Sequence, residues 1–285
     1  MKDDAIPKTI FGQTGQVVTV IGLGGEGVLR THGQEEAAEA VIGEAIGEGI
    51  TYFDSAKAYA GSEEYYGKVW SRRPETRDRV FQASKSASRD RKGAERDLDG
   101  TLKRMGIQHL DLWQIHDVRT EEDFLDISGP GGALEAFLEA RQKGKIRFMG
   151  VTGHHDPYLL ARAVREWPVD SVMMPVNPVE SALGGFLDVT LPAARQKGVA
   201  VIAMKVLGGS HYLFPNDGVT AEVLIRFALS QPIQVAIVGC SSPGHVRMLA
   251  QAARRLEPMT DEEKEQITSA FRPHARRLAF YRGVL

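Results

Sequence analysis

One cysteine, Cys240, is all that 285 residues contain, so no disulfide framework can form inside the chain. No apolar stretch approaches the ~20 residues needed to span a bilayer as a helix, and the opening MKDDAIPK lacks the apolar core of an export signal. Neither sign of charge dominates: 35 Lys and Arg face 37 Asp and Glu, a net charge of −2. That balance gives no electrostatic case for a nucleic acid or a membrane surface as partner. Short basic clusters (Arg72-Arg73, Arg89 to Lys92, Arg254-Arg255, Arg276-Arg277) are interleaved with acids and read as solvated helix faces and ends. Also missing is any linker rich in proline, glycine or serine, so residues 1–285 read as a single domain. At 42% hydrophobic and 25% charged, the chain has the composition of an ordinary globular enzyme, and its reduced thiol fits the cytoplasm.

What is present is a repeat of strand-like and helix-like segments. Runs with strand character fall at 17–23, 50–54, 79–84, 110–116, 145–151, 169–174, 198–204 and 235–239. Several are apolar on consecutive positions, as strands buried on both faces are. Between them lie helical stretches. Residues 34–48 place Ala37, Val41 and Ala45 on one side, and 94–105 carry Leu98, Leu102 and Met105 at helical spacing. Asp156-Pro157 and Ser242-Pro243 are start signals, a capping oxygen followed by proline in the first turn. Eight alternations at roughly 30-residue intervals predict parallel strands closed into a single (β/α)8 TIM barrel. A further helix from Asp261 to about Arg276 lies beyond the eight.

One motif argues for a different fold. GLGGEG, Gly22 to Gly27, matches G-x-G-x-x-G, and Asp54 closes the next apolar run. In a dinucleotide-binding βαβ unit the last glycine lies inside the helix that follows. Here VLRTHG intervenes and helical periodicity starts only at Gln34, so the glycines are expected to form a loop over the barrel mouth.

Barrel chemistry sits at the C-terminal strand ends. Those ends offer Asp54 with Tyr59 after strand two, Lys85 after strand three, and His116 after strand four. A tyrosine of pKa ~10 is a reluctant proton donor and acceptor at neutral pH. An ammonium about 4 Å away at effective dielectric ~20 favours the phenolate by ~4 kcal/mol, up to about three pKa units before desolvation subtracts. Asp54 would keep Lys85 charged and oriented, and His116 beside the phenol would hydrogen-bond a substrate oxygen. Such a set suits protonation of a carbonyl oxygen as hydride arrives at carbon.

With GQTG followed by GLGG, then FDSAKAY, SEEYYGK, ASK, DLWQIH and GKIRFMGVT in order, the sequence resembles the aldo-keto reductase family over nearly its whole length. The resemblance implies a (β/α)8 barrel that binds extended NADPH without a Rossmann fold and reduces aldehydes or ketones. It maps the family's tetrad onto Asp54, Tyr59, Lys85 and His116. It also implies cofactor contacts from Thr152, Gly153, Asn177, Met204, Lys205, Leu207, Gly208, Gly239, Ser241, Ser242 and His245.

The match departs from the family pattern in places. Thr152-Gly153 stands where Ser-Asn commonly holds the carboxamide, Pro178 replaces a usual glutamine with Asn177 beside it, and Met204 replaces a ring-stacking tyrosine. His245 occupies a frequent arginine position near the 2′-phosphate, so NADPH is the expected cofactor and NADH stays open. Substrate contacts are expected from Leu23-Gly24, His32, Phe214 and the 117–132 loop. His154-His155 has no assigned role, and Cys240 reads as a small residue beside the cofactor.

Three other functions compete. A zinc hydrolase would use His116, His154, His155 and Asp54, but strand one offers glycines where such barrels carry His-x-His, and no metal ligands are assigned. A Schiff-base lyase would act through Lys205 or Lys85. A non-catalytic cofactor-sensing subunit would keep the barrel without turnover. The four strand-end residues favour the reductase.

Overall fold

The computed structural model describes residues 5–282, so the first four residues of the segment read for an export signal lie outside it. A short hairpin comes first, β1 (Lys8–Ile10) with β2 (Val17–Thr19). Eight parallel strands follow: β3 (Ile21–Gly27), β4 (Tyr52–Phe53), β5 (Phe81–Ser86), β6 (Leu110–Ile115), β7 (Ile146–Thr152), β8 (Ser171–Pro175), β9 (Ala200–Met204) and β10 (Val235–Cys240). They close in the order β10-β3-β4-β5-β6-β7-β8-β9, so the last strand pairs with the first of the barrel and no edge is left open.

The helices around this wall are α1 (Glu35–Gly47), α2 (Ser62–Arg72), the single turn α3 (Pro74–Arg77), α4 (Arg91–Met105), α5 (Glu121–Ser128), α6 (Ala133–Gln142) and α7 (Pro157–Glu166). Then come α8 (Pro178–Leu183), α9 (Leu191–Lys197), α10 (Ala221–Leu229), α11 (Pro243–Arg254), α12 (Asp261–Phe271) and the short α13 (Ala275–Leu278). Local chemistry explains several starts. The Asp156 carboxylate accepts from the N–H groups of Tyr158 and Leu159, and the Ser242 hydroxyl accepts from His245 N–H, with proline next in both cases. Thr260 and Glu263 form a reciprocal capping box at α12.

Two apolar regions divide the molecule. Inside the barrel, Phe11 from the hairpin loop packs against Tyr52 and Phe81 at ring-centroid distances of 6.0 and 5.0 Å, plugging the end where the strands begin. Outside, the strands bury their other face against the helices, as where Trp113 stacks on Phe137 at 3.6 Å. The consecutive apolar runs follow from this burial on both faces.

Two local expectations change. The run 17–23 is not one strand. Val17–Thr19 belongs to the hairpin, and the barrel strand begins at Ile21. The stretch GLGGEG is not a loop over the mouth but lies within β3 itself. The glycines answer to packing. A Cβ on Gly24 would stand 3.0 Å from the Gly239 nitrogen of β10, and one on Gly25 would stand 2.5 Å from the Tyr59 ring. They admit neighbouring backbone and a tyrosine, not a phosphate.

Candidate active site

At the C-terminal strand ends the barrel opens into a cavity of about 450 Å³. Asp54 directly follows the short β4, Lys85 is in β5, and His116 directly follows β6. Their backbones are fixed by the parallel ladder, for example by His116 N–H donating to Ser86 C=O at 2.8 Å. Tyr59 sits on a turn after β4, its N–H donating to Ala56 C=O at 2.9 Å.

The Lys85 ammonium, fully buried, donates to Asp54 Oδ2 at 2.6 Å and to the Ser55 carbonyl at 2.8 Å. Its Nζ lies 4.8 Å from the Tyr59 ring centroid, and the His116 ring meets that phenol ring edge-on at 5.8 Å. The structure therefore brings all four sequence-predicted residues together, with Tyr59, Lys85 and His116 on the cavity wall and Asp54 behind the lysine.

Electrostatically the cluster differs from the sequence-based expectation. Burial, with the carboxylates of Asp54, Glu26 and Asp117, holds the Tyr59 phenol well above its ordinary value, against the opposing Arg30 guanidinium. The lysine does not produce a phenolate here because its charge is closely neutralised by Asp54 and it faces the ring rather than standing alone. Burial also pushes the Lys85 ammonium down and the Asp54 carboxyl up, each partly countered by the other. Burial together with the Lys85 charge pushes the His116 imidazole down to about 3, so it is neutral at physiological pH. The result is a protonated phenol beside a neutral imidazole.

The residues expected to contact a cofactor fall into two groups. Thr152, Met204 and Lys205 line the cavity. The Thr152 hydroxyl oxygen accepts from Asp117 N–H at 2.8 Å, which leaves its own proton free to donate. Among the described residues Lys205 is the cavity-lining cation without a carboxylate partner. Arg30 pairs with Glu26, Lys85 with Asp54, Arg89 with Asp123 and Arg119 with Asp117.

The other group is engaged by the fold. Asn177 is fully buried. Its Oδ1 caps α8 by accepting from Glu180 N–H, and its Nδ2 donates to the Lys205 carbonyl and the Tyr281 hydroxyl. A carboxamide contact from Asn177 would require this network to open. Gly153 is buried, its N–H donating to Met173 C=O. Leu207 and Gly208 form the turn after β9, with Gly208 at φ 55 against the Tyr212 ring. Gly239 is covered by Glu26. Ser241 N–H donates to His245 Nδ1 at 3.3 Å, and Ser242 caps α11. Arg247 points elsewhere, pairing with Glu44 at 2.9 Å.

Of the expected substrate contacts, only the 117–132 loop reaches the cavity, through Asp117, Arg119 and Asp123. Leu23 is buried in the outer core, and Phe214 packs on Phe271. Sequence reasoning passed over Glu26 and Arg30 and read Arg89 as part of a solvated basic cluster, whereas all three line the cavity. The signal was available, since each lies within a few residues of a strand end. Arg89 orders this edge by donating to the carbonyls of His116 and Asp117 as well as to Asp123. Cys240 is buried, and burial pushes its thiol up to about 12, which makes it inert as a nucleophile.

Comparison with known proteins follows the same lines. The sequence model described as the Aldo/keto reductase family matches residues 20–214, more than half of the chain. An aldo-keto reductase of Schizosaccharomyces pombe, whose name carries NADP(+), is 28% identical over 233 residues, covering 75% of this chain and 66% of that protein. L-Galactose dehydrogenase of Arabidopsis thaliana is 30% identical over 256 residues, covering 82% and 75% of the two chains. An aldo-keto reductase of Klebsiella pneumoniae solved in complex with NADPH superposes with a TM-score of 0.76 at 22% identity, covering 94% and 96%. No helix among the described residues is long and apolar enough to cross a membrane.

Proposed function

The chain belongs to the aldo/keto reductase family, and on that premise we propose that it is a single-domain, NADPH-dependent reductase of a small aldehyde or ketone, working in the cytoplasm without nucleic-acid or membrane partners. The observation that carries this reading is the buried Lys85–Asp54 pair at 2.6 Å packed under the ring of Tyr59, with His116 alongside.

Each residue has a distinct task. Tyr59 is the proton donor. A phenol held above its ordinary pKa keeps its proton until negative charge develops on the carbonyl oxygen, and an alkoxide is basic enough to take it. Neutral His116 donates a hydrogen bond to the same oxygen and orients the carbonyl. Lys85 places positive charge beside the phenolate left after transfer, and Asp54, buried behind it, keeps that charge in place. In the reverse direction the same phenolate accepts the alcohol proton.

The residues present fit a dinucleotide. Lys205 is a cation without a partner beside the cavity, suited to an anionic linkage, while the Thr152 hydroxyl and the Met204 side chain suit a carboxamide and an aromatic ring face. When bound, the nicotinamide supplies the hydride. The Ser241-Ser242 start of α11 is available to a phosphate once His245 turns away from Ser241 N–H.

Tyr59→Phe tests the reading. Carbonyl reduction should fall by about 10²–10⁴-fold, the span of a lost general acid. NADPH binding, followed by intrinsic fluorescence, should be retained. Turnover equal to wild type would refute the acid assignment.

A further inference from the structure

His154 and His155 follow β7, His154 on the wall of the same cavity, and have no place in the proton-delivery set. His154 Nδ1 lies 2.7 Å from the Tyr281 carbonyl, an acceptor only, so Nδ1 carries a proton and in the neutral imidazole Nε2 carries the lone pair. That lone pair faces Asp117 Oδ1 at 3.1 Å. His155 Nε2 approaches the same oxygen at 3.8 Å, and both Asp117 Oδ1 and His155 Nε2 are buried without a hydrogen-bond partner. Asp117 is itself only 8% exposed and holds a left-handed backbone at φ 59, which aims its carboxylate at the two imidazoles. Three electron-pair donors thus converge within 4.8 Å of one another, while the Arg119 guanidinium holds the other Asp117 oxygen, Oδ2, at 2.6 Å.

The geometry points to a divalent-cation site, zinc in class, formed by Asp117 Oδ1, His154 Nε2 and His155 Nε2. Bonds of about 2.0–2.1 Å at tetrahedral angles separate neighbouring donor atoms by ~3.3 Å, and the observed 3.1 and 3.8 Å bracket that spacing. Two imidazoles and one carboxylate are a donor set that zinc accepts, leaving a fourth position for water or a ligand oxygen. The His154 hydrogen bond to the Tyr281 carbonyl is the outer-sphere contact that fixes the tautomer of a metal-binding histidine. Cys240 cannot compete for the ion, being buried away from solvent. A cation here would take Asp117 Oδ1 at the mouth of the cavity, leaving Oδ2 to Arg119, without touching the Asp54–Lys85 pair.

The test uses the full chain, stripped by a chelator and titrated with zinc chloride by calorimetry. Cobalt(II) absorption on the wild-type protein reports coordination whether or not variants fold. One zinc per chain is expected, together with cobalt bands of a four-coordinate nitrogen and oxygen shell. His155→Ala and Asp117→Asn should each weaken zinc binding by at least about tenfold, while His211→Ala leaves it unchanged. NADPH titration of each variant checks that the barrel is intact. A wild-type chain that takes up no stoichiometric zinc, or an affinity unaltered in both variants, overturns the site.

Discussion

Replacing Lys85 by methionine isolates the energetics of the buried pair. The ammonium is fully buried and 2.6 Å from Asp54, so its loss leaves a carboxyl group in a closed interior with no counter-charge. Breaking such a pair by removing one partner typically costs about 3–5 kcal/mol. The carboxyl has one escape, which is to bind a proton. An unfolded-state pKa of ~3.9 puts the cost of doing so at pH 7 at ~4 kcal/mol, and at pH 5 at ~1.5 kcal/mol. The sign follows from proton counts. In the variant the folded state holds the Asp54 proton while the unfolded state has released it, so stability relative to wild type falls as pH rises, by ~1.4 kcal/mol per unit above pH 4. Urea unfolding of both proteins at pH 5 and pH 7 measures this directly. Adding Asp54→Asn should recover most of the stability at pH 7 without recovering turnover, because the charge beside Tyr59 is still missing. A destabilisation equal at both pH values, or a double variant no more stable than Lys85→Met at pH 7, would show that the pair is not the closed ion pair described here.

Other expectations concern the cavity walls and β3. His116, already neutral down to about pH 3, should contribute no inflection near 6.5 to the pH profile of kcat/KM for carbonyl reduction. Because the unfolded state takes up that proton first, the stability His116 contributes should decline as pH falls below ~6.5, and His116→Gln should narrow its stability gap to wild type between pH 7 and pH 5. Lys205→Met should weaken NADPH binding by about tenfold and flatten its dependence on salt, with kcat little changed; fluorescence titration at two ionic strengths reads both. Gly25→Ala, whose Cβ would meet the Tyr59 ring at 2.5 Å, should depress turnover while keeping the fold by circular dichroism. Gly43→Ala, in α1 with nothing within 4 Å, should instead add about 0.5–1 kcal/mol in urea unfolding.

The barrel was legible because two-sided burial writes itself as consecutive apolar residues, and because capping residues mark where helices begin. The four reactive residues were legible because Asp54, Lys85 and His116 stand at strand ends and Tyr59 follows Asp54 within the same short loop. The hairpin escaped because Val17–Thr19 is as β-prone as the strand it precedes. Only tertiary pairing, with Val20 N–H donating to the Pro7 carbonyl, separates the two. Glycines 22, 24 and 27 share the spacing of a phosphate-binding loop but serve close strand contact here, so the loop expected of them is a strand. Asn177 escaped for another reason. Its cap on α8 is written locally in Asn177-Pro178, but its anchoring of Tyr281 depends on a residue more than a hundred positions downstream, which no local pattern reveals.

The glycine-lined meeting of β3 with β10 has a kinetic meaning. The two partners are separated by some two hundred residues of chain, so during synthesis the first barrel strand leaves the ribosome long before its neighbour exists. Until β10 emerges, one side of the nascent wall presents unpaired backbone groups, and closing the cylinder waits on a contact between segments about two hundred residues apart. Mutations that crowd this junction should therefore lower the yield of active protein made in cells more than they lower the unfolding temperature of molecules that have already closed.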